Sequence, residues 1–87
     1  MLRFNLLSPE QTFIDEDCLS VSLPGLLGEF QVLAGHAACL LELKAGRVVY
    51  ENAQHESKSF YIAPGFAEID RDQLSVLCEK ASVEPCE

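Results

Sequence analysis

Leu19-Ser20-Val21-Ser22-Leu23-Pro24-Gly25 alternates apolar and hydroxyl residues and then stops at a Pro-Gly pair. A period of two sets Leu19, Val21 and Leu23 on one side of an extended chain and both serines on the other, the mark of a half-buried strand. Pro24-Gly25 is a turn signal, because proline cannot donate to a ladder and glycine admits turn geometry. The alternation recurs outward in both directions. Leu2, Phe4 and Leu6 oppose Arg3 and Asn5; Cys39, Leu41 and Leu43 oppose Leu40, Glu42 and Lys44. Phe60 and Ile62, then Leu74, Val76 and Cys78, repeat it. Further turn signals fall at Ser8-Pro9, Gly35, Ala45-Gly46, Asn52 to Ser57, Pro64-Gly65 and Asp70-Arg71-Asp72. Short strands at such spacing predict an all-β sandwich or barrel. A helix needs apolar residues at i, i+3, i+4 and i+7, and no window of eleven sustains that pattern. The stretch after Leu77 has room for a strand end or one helical turn, and Pro85 opposes more.

The chain has 87 residues, 48% of them hydrophobic, which is the composition of one globular domain. A domain this small hides only roughly 60–65% of its unfolded surface, so one core is all it can build. No linker, repeat or low-complexity stretch divides it. Fourteen acids against six bases give a formal charge of -8. Binding to a phosphate backbone needs clustered Lys and Arg, so neither nucleic acid nor an anionic membrane surface is an expected partner. No apolar run approaches the ~20 residues that span a bilayer, so no membrane insertion is expected. The cysteines at 18, 39, 78 and 86 form no C-x-x-C pair and have no histidine at a zinc-like offset. Residues 1–7 lack the apolar core and cleavage site of a signal peptide. Reduced, cytoplasmic thiols follow as the expectation, with Cys18, Cys39 and Cys78 packed in or beside strands.

The residues offer little catalytic chemistry. His36 and His55 are the two histidines. His55 lies in a polar stretch that reads as an exposed hairpin loop, and no nucleophile signature surrounds His36 or Cys39. Gly25-Leu26-Leu27-Gly28 lacks both the Lys-Ser/Thr of a phosphate loop and the third glycine of a dinucleotide fingerprint. No calcium-loop pattern is present. No catalytic residue, metal, cofactor or small-molecule substrate is therefore expected. Two stretches are unusual for a bland domain. Leu23 to Leu33 reads as a loop-like segment whose tip, Leu26 and Leu27 beside Glu29, has the apolar area and charge of a docking surface. The alternative is that both leucines fold back into the core. Ala34-Gly35-His36-Ala37-Ala38 sets small residues around a histidine, which suits a tight turn or a close interface.

These stretches also carry a family pattern. The chain resembles the N-terminal domain of the epsilon subunit of F-type ATP synthases, called delta in mitochondria. The residues concerned are Ser8-Pro9-Glu10 with Phe13, Gly28-Glu29-Phe30, Ala34 to Ala38, Leu40-Leu41 with Lys44-Ala45-Gly46, Pro64 to Ile69, and Val76-Leu77 with Glu79 to Ala81. They are collinear over residues 2–81. Alanine stands at positions 34, 38 and 45, where the family pattern has proline. Such losses loosen turns by roughly 0.4–1 kcal/mol each through unfolded-state entropy.

The resemblance implies a single small β-sandwich of about ten short strands over residues 1–82, with a short tail at 83–87. It implies a non-catalytic rotor part of a proton-translocating F-type ATP synthase, linking the gamma subunit to the c-subunit ring. Its place would be peripheral, at the cytoplasmic face of the bacterial inner membrane. Glu29 and His36, with Leu26, Leu27, Phe30 and Gln31, are the residues expected to face the ring. Ser8 and Leu41 are those expected to face gamma. Relatives usually continue into a C-terminal helical hairpin that restrains hydrolysis and in some species binds ATP. Neither property carries over to this sequence, which ends before it; its opening on Met1 without a tag favours a naturally short chain. The alternative to this reading is a free-standing small-ligand-binding β-barrel, with a cavity near His36 and Cys39.

Overall fold

In the computed structural model, which describes residues 1–82, every alternating run of the sequence is an extended strand. The strands are β1 (Leu2–Leu7), β2 (Thr12–Gly25), β3 (Gly28–Leu33), β4 (Cys39–Leu43), β5 (Gly46–Asn52), β6 (Ser57–Ile62), β7 (Gly65–Asp70), β8 (Gln73–Cys78) and β9 (Ala81–Ser82). The described residues thus hold nine strands and no helix, close to the expected ten. After Leu77 the chain finishes β8 at Cys78 and adds the short β9 against Tyr61 and Ile62 of β6. The tail expected at 83–87 lies outside the described residues.

β2 explains the architecture. Its first half, Thr12 to Cys18, pairs antiparallel with β1; its second half pairs with β3 on one edge and β5 on the other. One layer runs β4-β7-β8-β1 into the start of β2, and the other runs from the end of β2 through β5 and β6 to β9. β1 and β8 are parallel, while the remaining pairings are antiparallel. A single bridge, Gly25 to Leu43, joins the end of β2 to β4 and closes the sandwich at that corner. The long strand changes layers at a bulge, where Cys18 pairs with Asn52 and Ser20 with Glu51, leaving Leu19 as the extra residue. A bulge shifts the inward parity by one. Ile14 and Cys18 face in before it, and Val21 and Leu23 after it. Leu19, expected on the buried side with Val21 and Leu23, is consequently only half-buried.

The core is one cluster drawn from both layers. Leu2, Phe4 and Leu6 of β1, Ala67 and Ile69 of β7, and Leu74 and Val76 of β8 meet Val21, Leu23, Val32, Val48 and Tyr50. Phe4 and Tyr50 pack edge to face across the interior, with ring centroids 5.2 Å apart. The Tyr50 hydroxyl donates to Glu16 at 2.7 Å, so its polar end is satisfied. The Cα radius of gyration, 11.6 Å, is near the ~12 Å expected of a compact chain this long.

Asn52 departs from the sequence reading, which placed it in an exposed loop. It ends β5 and is buried. Its Oδ1 accepts from the amides of Gln54 and Glu56, each at 2.9 Å, and its Nδ2 donates to the Glu56 carboxylate at 3.0 Å. The side chain replaces the backbone partners that the turn cannot supply. His55 sits in that turn at φ 66°, exposed, with Nδ1 3.0 Å from the Glu51 carboxylate.

Candidate docking site

The segment from Leu23 to Leu33, read from sequence as loop-like, is a β-hairpin. β2 continues through Pro24 and Gly25, the chain turns at Leu26-Leu27, and β3 returns from Gly28. Pro24 tolerates a strand position because its carbonyl does the bonding, accepting from the Lys44 amide at 2.9 Å. Gly25 is required by close approach, since a Cβ there would stand 2.5 Å from the Gly28 carbonyl oxygen. With the backbone this tight, the two turn side chains have no route into the core. Leu26 is 52% exposed and Leu27 is fully exposed at 101%. Of the two outcomes open to these leucines, the structure has the exposed one.

β3 sorts its residues by parity. Val32 is buried and Phe30 leans on the core, while Glu29 and Gln31 stand exposed on the outer face. Ser22, on the adjoining strand, donates its hydroxyl to the Glu29 carboxylate and holds it against the sheet. Beyond Leu33 the chain doubles back. Gly35 makes the reversal at φ 83°, in the left-handed region where a Cβ is strained. Its amide donates to Asp72 Oδ1 at 2.7 Å, which ties this corner to the β7–β8 turn. His36 returns to meet Phe30 edge to face, ring centroids 5.3 Å apart. Nδ1 of His36 lies 2.7 Å from the Ala37 carbonyl oxygen. A carbonyl only accepts, so that nitrogen carries the proton. The structure therefore brings Phe30 and His36 together, with Glu29 adjacent in sequence on the opposite face of the same strand.

Ser8 and Leu41 have structural work. The Ser8 hydroxyl accepts from the amides of Glu10 and Gln11, both at 3.2 Å, organising the β1–β2 turn. Leu41 packs half-buried against the core. The sequence reading missed a second apolar surface. Phe66 is 53% exposed and Leu77 50%; they are opposite each other on β7 and β8, with Leu7 of β1 next in register. Pro9 and Pro64 border the same face around a hollow of about 370 Å³. Leu40, 71% exposed, lies on the same layer's outer side. The signal was available: each of these three is apolar at a position whose strand neighbours, such as Ala67 or Val76 and Cys78, claim the inward parity.

Among the described residues, neither Cys18 nor Cys78 offers a reactive thiol at these surfaces. Cys18 and Cys78 are buried, Cys39 is half-buried, and all three are free. Burial, helped by Glu16 and Asp17, pushes the Cys18 thiol up to about 11, and burial also raises Cys78. A protonated, enclosed thiol is a poor nucleophile. Among the described residues, no group of three or more His, Cys, Asp or Glu could hold a metal ion.

What these surfaces can do is dock, and known proteins share the scaffold that presents them. The family model described as ATP synthase, Delta/Epsilon chain, beta-sandwich domain matches residues 1–84. The ATP synthase epsilon chain of Desulfosudis oleivorans is 36% identical over 80 residues, which cover 92% of this chain and 60% of that protein. That of Chlorobaculum tepidum is 37% identical over 78 residues, covering 90% of this chain and 89% of its own length. A chain in the cryo-EM structure of Euglena gracilis mitochondrial ATP synthase, OSCP/F1/c-ring in rotational state 1, superposes with a TM-score of 0.86 at 21% identity. That match covers 92% of this chain and 51% of the Euglena chain, and it concerns the fold. This chain thus spans about three-fifths of the first relative's length and nearly all of the second's. Sequence identity above a third along almost its whole length, a family model matched from end to end of the sandwich and the same fold together establish that the chain belongs to the ATP synthase delta/epsilon chain β-sandwich family.

Proposed function

We propose that the chain is a non-catalytic central-stalk part of a proton-translocating F-type ATP synthase, linking the gamma subunit to the c-subunit ring. One observation carries this reading: a closed core presents two exposed apolar surfaces, the β2–β3 tip and the Phe66–Leu77 face. A part that bridges two partners needs two such surfaces, and a rigid scaffold between them to transmit force. Exposed apolar area of this kind marks interaction sites more often than it marks substrate pockets. The tip, with Leu26, Leu27, Glu29, Phe30 and Gln31 on the β2–β3 hairpin and His36 folded back against Phe30, is assigned to the ring. The Phe66–Leu77 face is assigned to gamma, with Ser8 at its rim between Leu7 and Pro9. Leu41, which is half-buried against the core and borders the hollow at the tip, is the second residue assigned to gamma. The working place of such a part is peripheral, at the cytoplasmic face of a bacterial inner membrane. Among the described residues, no helix is long and apolar enough to cross a membrane. Residues 1–82 form the working unit. The ligand-binding barrel is not favoured, because His36 and Cys39 do not border the hollow at the tip.

Glu29 is the natural place to test the ring assignment. Its carboxylate is exposed, so the reversal Glu29→Lys is expected to leave stability within about 0.5 kcal/mol. ATP-driven proton pumping by complexes reconstituted into vesicles should fall several-fold in this variant. Pumping equal to that of the parent complex, with the variant incorporated, would remove Glu29 from the interface.

A further inference from the structure

The residues from Ala34 to Ala38 join β3 to β4 outside any strand. Two of their bonds are local: the His36 amide donates to the Leu33 carbonyl at 3.2 Å, and the His36 ring donates to the Ala37 carbonyl. The bond from the Gly35 amide to Asp72 Oδ1 differs in kind, because it spans 37 residues and joins the two layers. The β7–β8 turn aims the carboxylate that accepts it. Asp70 and Gln73 close that hairpin and leave Arg71 and Asp72 as its turn. Arg71 stands at φ 60°, a left-handed conformation that is unfavourable for any residue with a Cβ. The Asp72 carbonyl accepts from the Arg3 amide at 2.8 Å, so β1 pins the backbone of this residue. With the backbone held on one side, the carboxylate reaches Gly35 on the other.

We propose that Asp72 is a positioning residue of the docking site, its carboxylate holding the Gly35 turn so that His36 stays folded against Phe30. This rests on the docking role assigned to the tip and deepens it. Gly35 lies beyond the last pairing of β3, that of Leu33 with Ser20, so no ladder supports its amide. A carboxylate is the strongest acceptor a side chain can bring to such a donor. Without it the turn keeps its local bonds and loses its tie to the opposite layer. The Phe30–His36 contact, with ring centroids 5.3 Å apart, then depends on the short segment alone. Arg71 supports the same reading, since a left-handed residue other than glycine is retained directly beside the bonding side chain. The β7–β8 hairpin also carries Phe66 and Leu77. One element thus presents the face assigned to gamma and holds a corner of the site assigned to the ring.

The test uses the full chain, labelled with nitrogen-15, and complexes reconstituted with it. Asp72→Ala should speed hydrogen exchange of the Gly35 amide about fivefold and abolish the nuclear Overhauser contact between His36 and Phe30. Its release from the complexes after dilution should be about fivefold faster than the parent's, because a loosened corner must be ordered again at each docking. Asp72→Asn keeps an oxygen acceptor in the same place and should restore exchange and release to within about twofold of the parent. Asp72 is exposed, so an otherwise unchanged amide spectrum confirms that both variants are folded. Asn52→Ala separates positioning from stability. It weakens the fold through another turn and should be released at the parent's rate. Release of Asp72→Ala at the parent's rate, an intact His36–Phe30 contact in that variant, no rescue by Asp72→Asn, or equally fast release of Asn52→Ala would overturn the proposal. A parent chain that never enters the complexes is the separate sign that the rotor reading has failed, and it takes the positioning role with it.

Discussion

Cys18 sits where three lines of the fold meet. It is the last residue before the bulge, it faces Asn52 across the ladder, and it is fully enclosed in the core. Its thiol, pushed up to about 11 mainly by that enclosure, stays protonated where an exposed thiol near 9.0 would ionise. The consequence for stability has a definite sign. Above about pH 9 the unfolded chain loses this proton while the folded chain keeps it, so stability is fully present below pH 9 and drains as pH rises toward 11. Cys78 and Tyr50, also raised by burial, act in the same direction. Urea unfolding midpoints should hold steady up to about pH 8 and fall by about pH 10, with a shallower fall in Cys18→Ala. A midpoint that does not move over that interval would mean the thiol is not enclosed as described. Composition could place this cysteine in or beside a strand, but its depth depends on a parity that local pattern does not fix.

Strands were legible wherever alternation was unbroken, and two elements show where it stops being a guide. Leu19-Ser20-Val21-Ser22-Leu23 reads as one perfect alternating run, yet Leu19 is the bulged residue, and the parity that buries Cys18 ends just before it. The pattern was produced by two different faces placed end to end, and only the pairing of β2 with β5 reveals the seam. The β2–β3 hairpin was hidden for a related reason. Pro24-Gly25 signals a turn, but the tertiary bonds from Lys44 and Leu26 to Pro24 and β4 keep the strand going through it. The outward leucines were legible as an anomaly and not as an outcome, because exposure depends on whether the tight backbone leaves them an inward path. Asn52 belongs at this scale too. It reads as one more polar loop residue, whereas its side chain holds the β5–β6 connection together through three hydrogen bonds. Asn52→Ala strands the amides of Gln54 and Glu56 near the buried end of β5, so a loss of about 2–3 kcal/mol is expected. Denaturant unfolding checks it: a loss below about 0.5 kcal/mol would show that water satisfies the turn unaided.

At the scale of the whole molecule, the sandwich keeps one closed core and leaves large apolar side chains exposed at the β2–β3 tip and on the Phe66–Leu77 face. β2, shared by both layers, joins them covalently along its length, and the Gly25–Leu43 bridge and the Gly35–Asp72 bond tie the corners. A load applied at the tip is therefore carried into the opposite layer by packed strands, with no hinge of irregular chain between them. The patch proposed to face gamma could have been found from sequence at Phe66 and Leu77, two apolar residues at outward parity, but period-2 reading attends to the inward set and passes over the other. Bridging two partners is the central claim, and its most direct test is a count. Complexes drawn from native membranes through a tag on the gamma subunit should contain this chain in equimolar amount with gamma, together with the c-subunit ring. The double variant Phe66→Asp/Leu77→Asp should be missing from the same preparation while remaining folded on its own. Recovery of the parent chain only as a free monomer, or undiminished recovery of the double variant with gamma, would contradict the assignment.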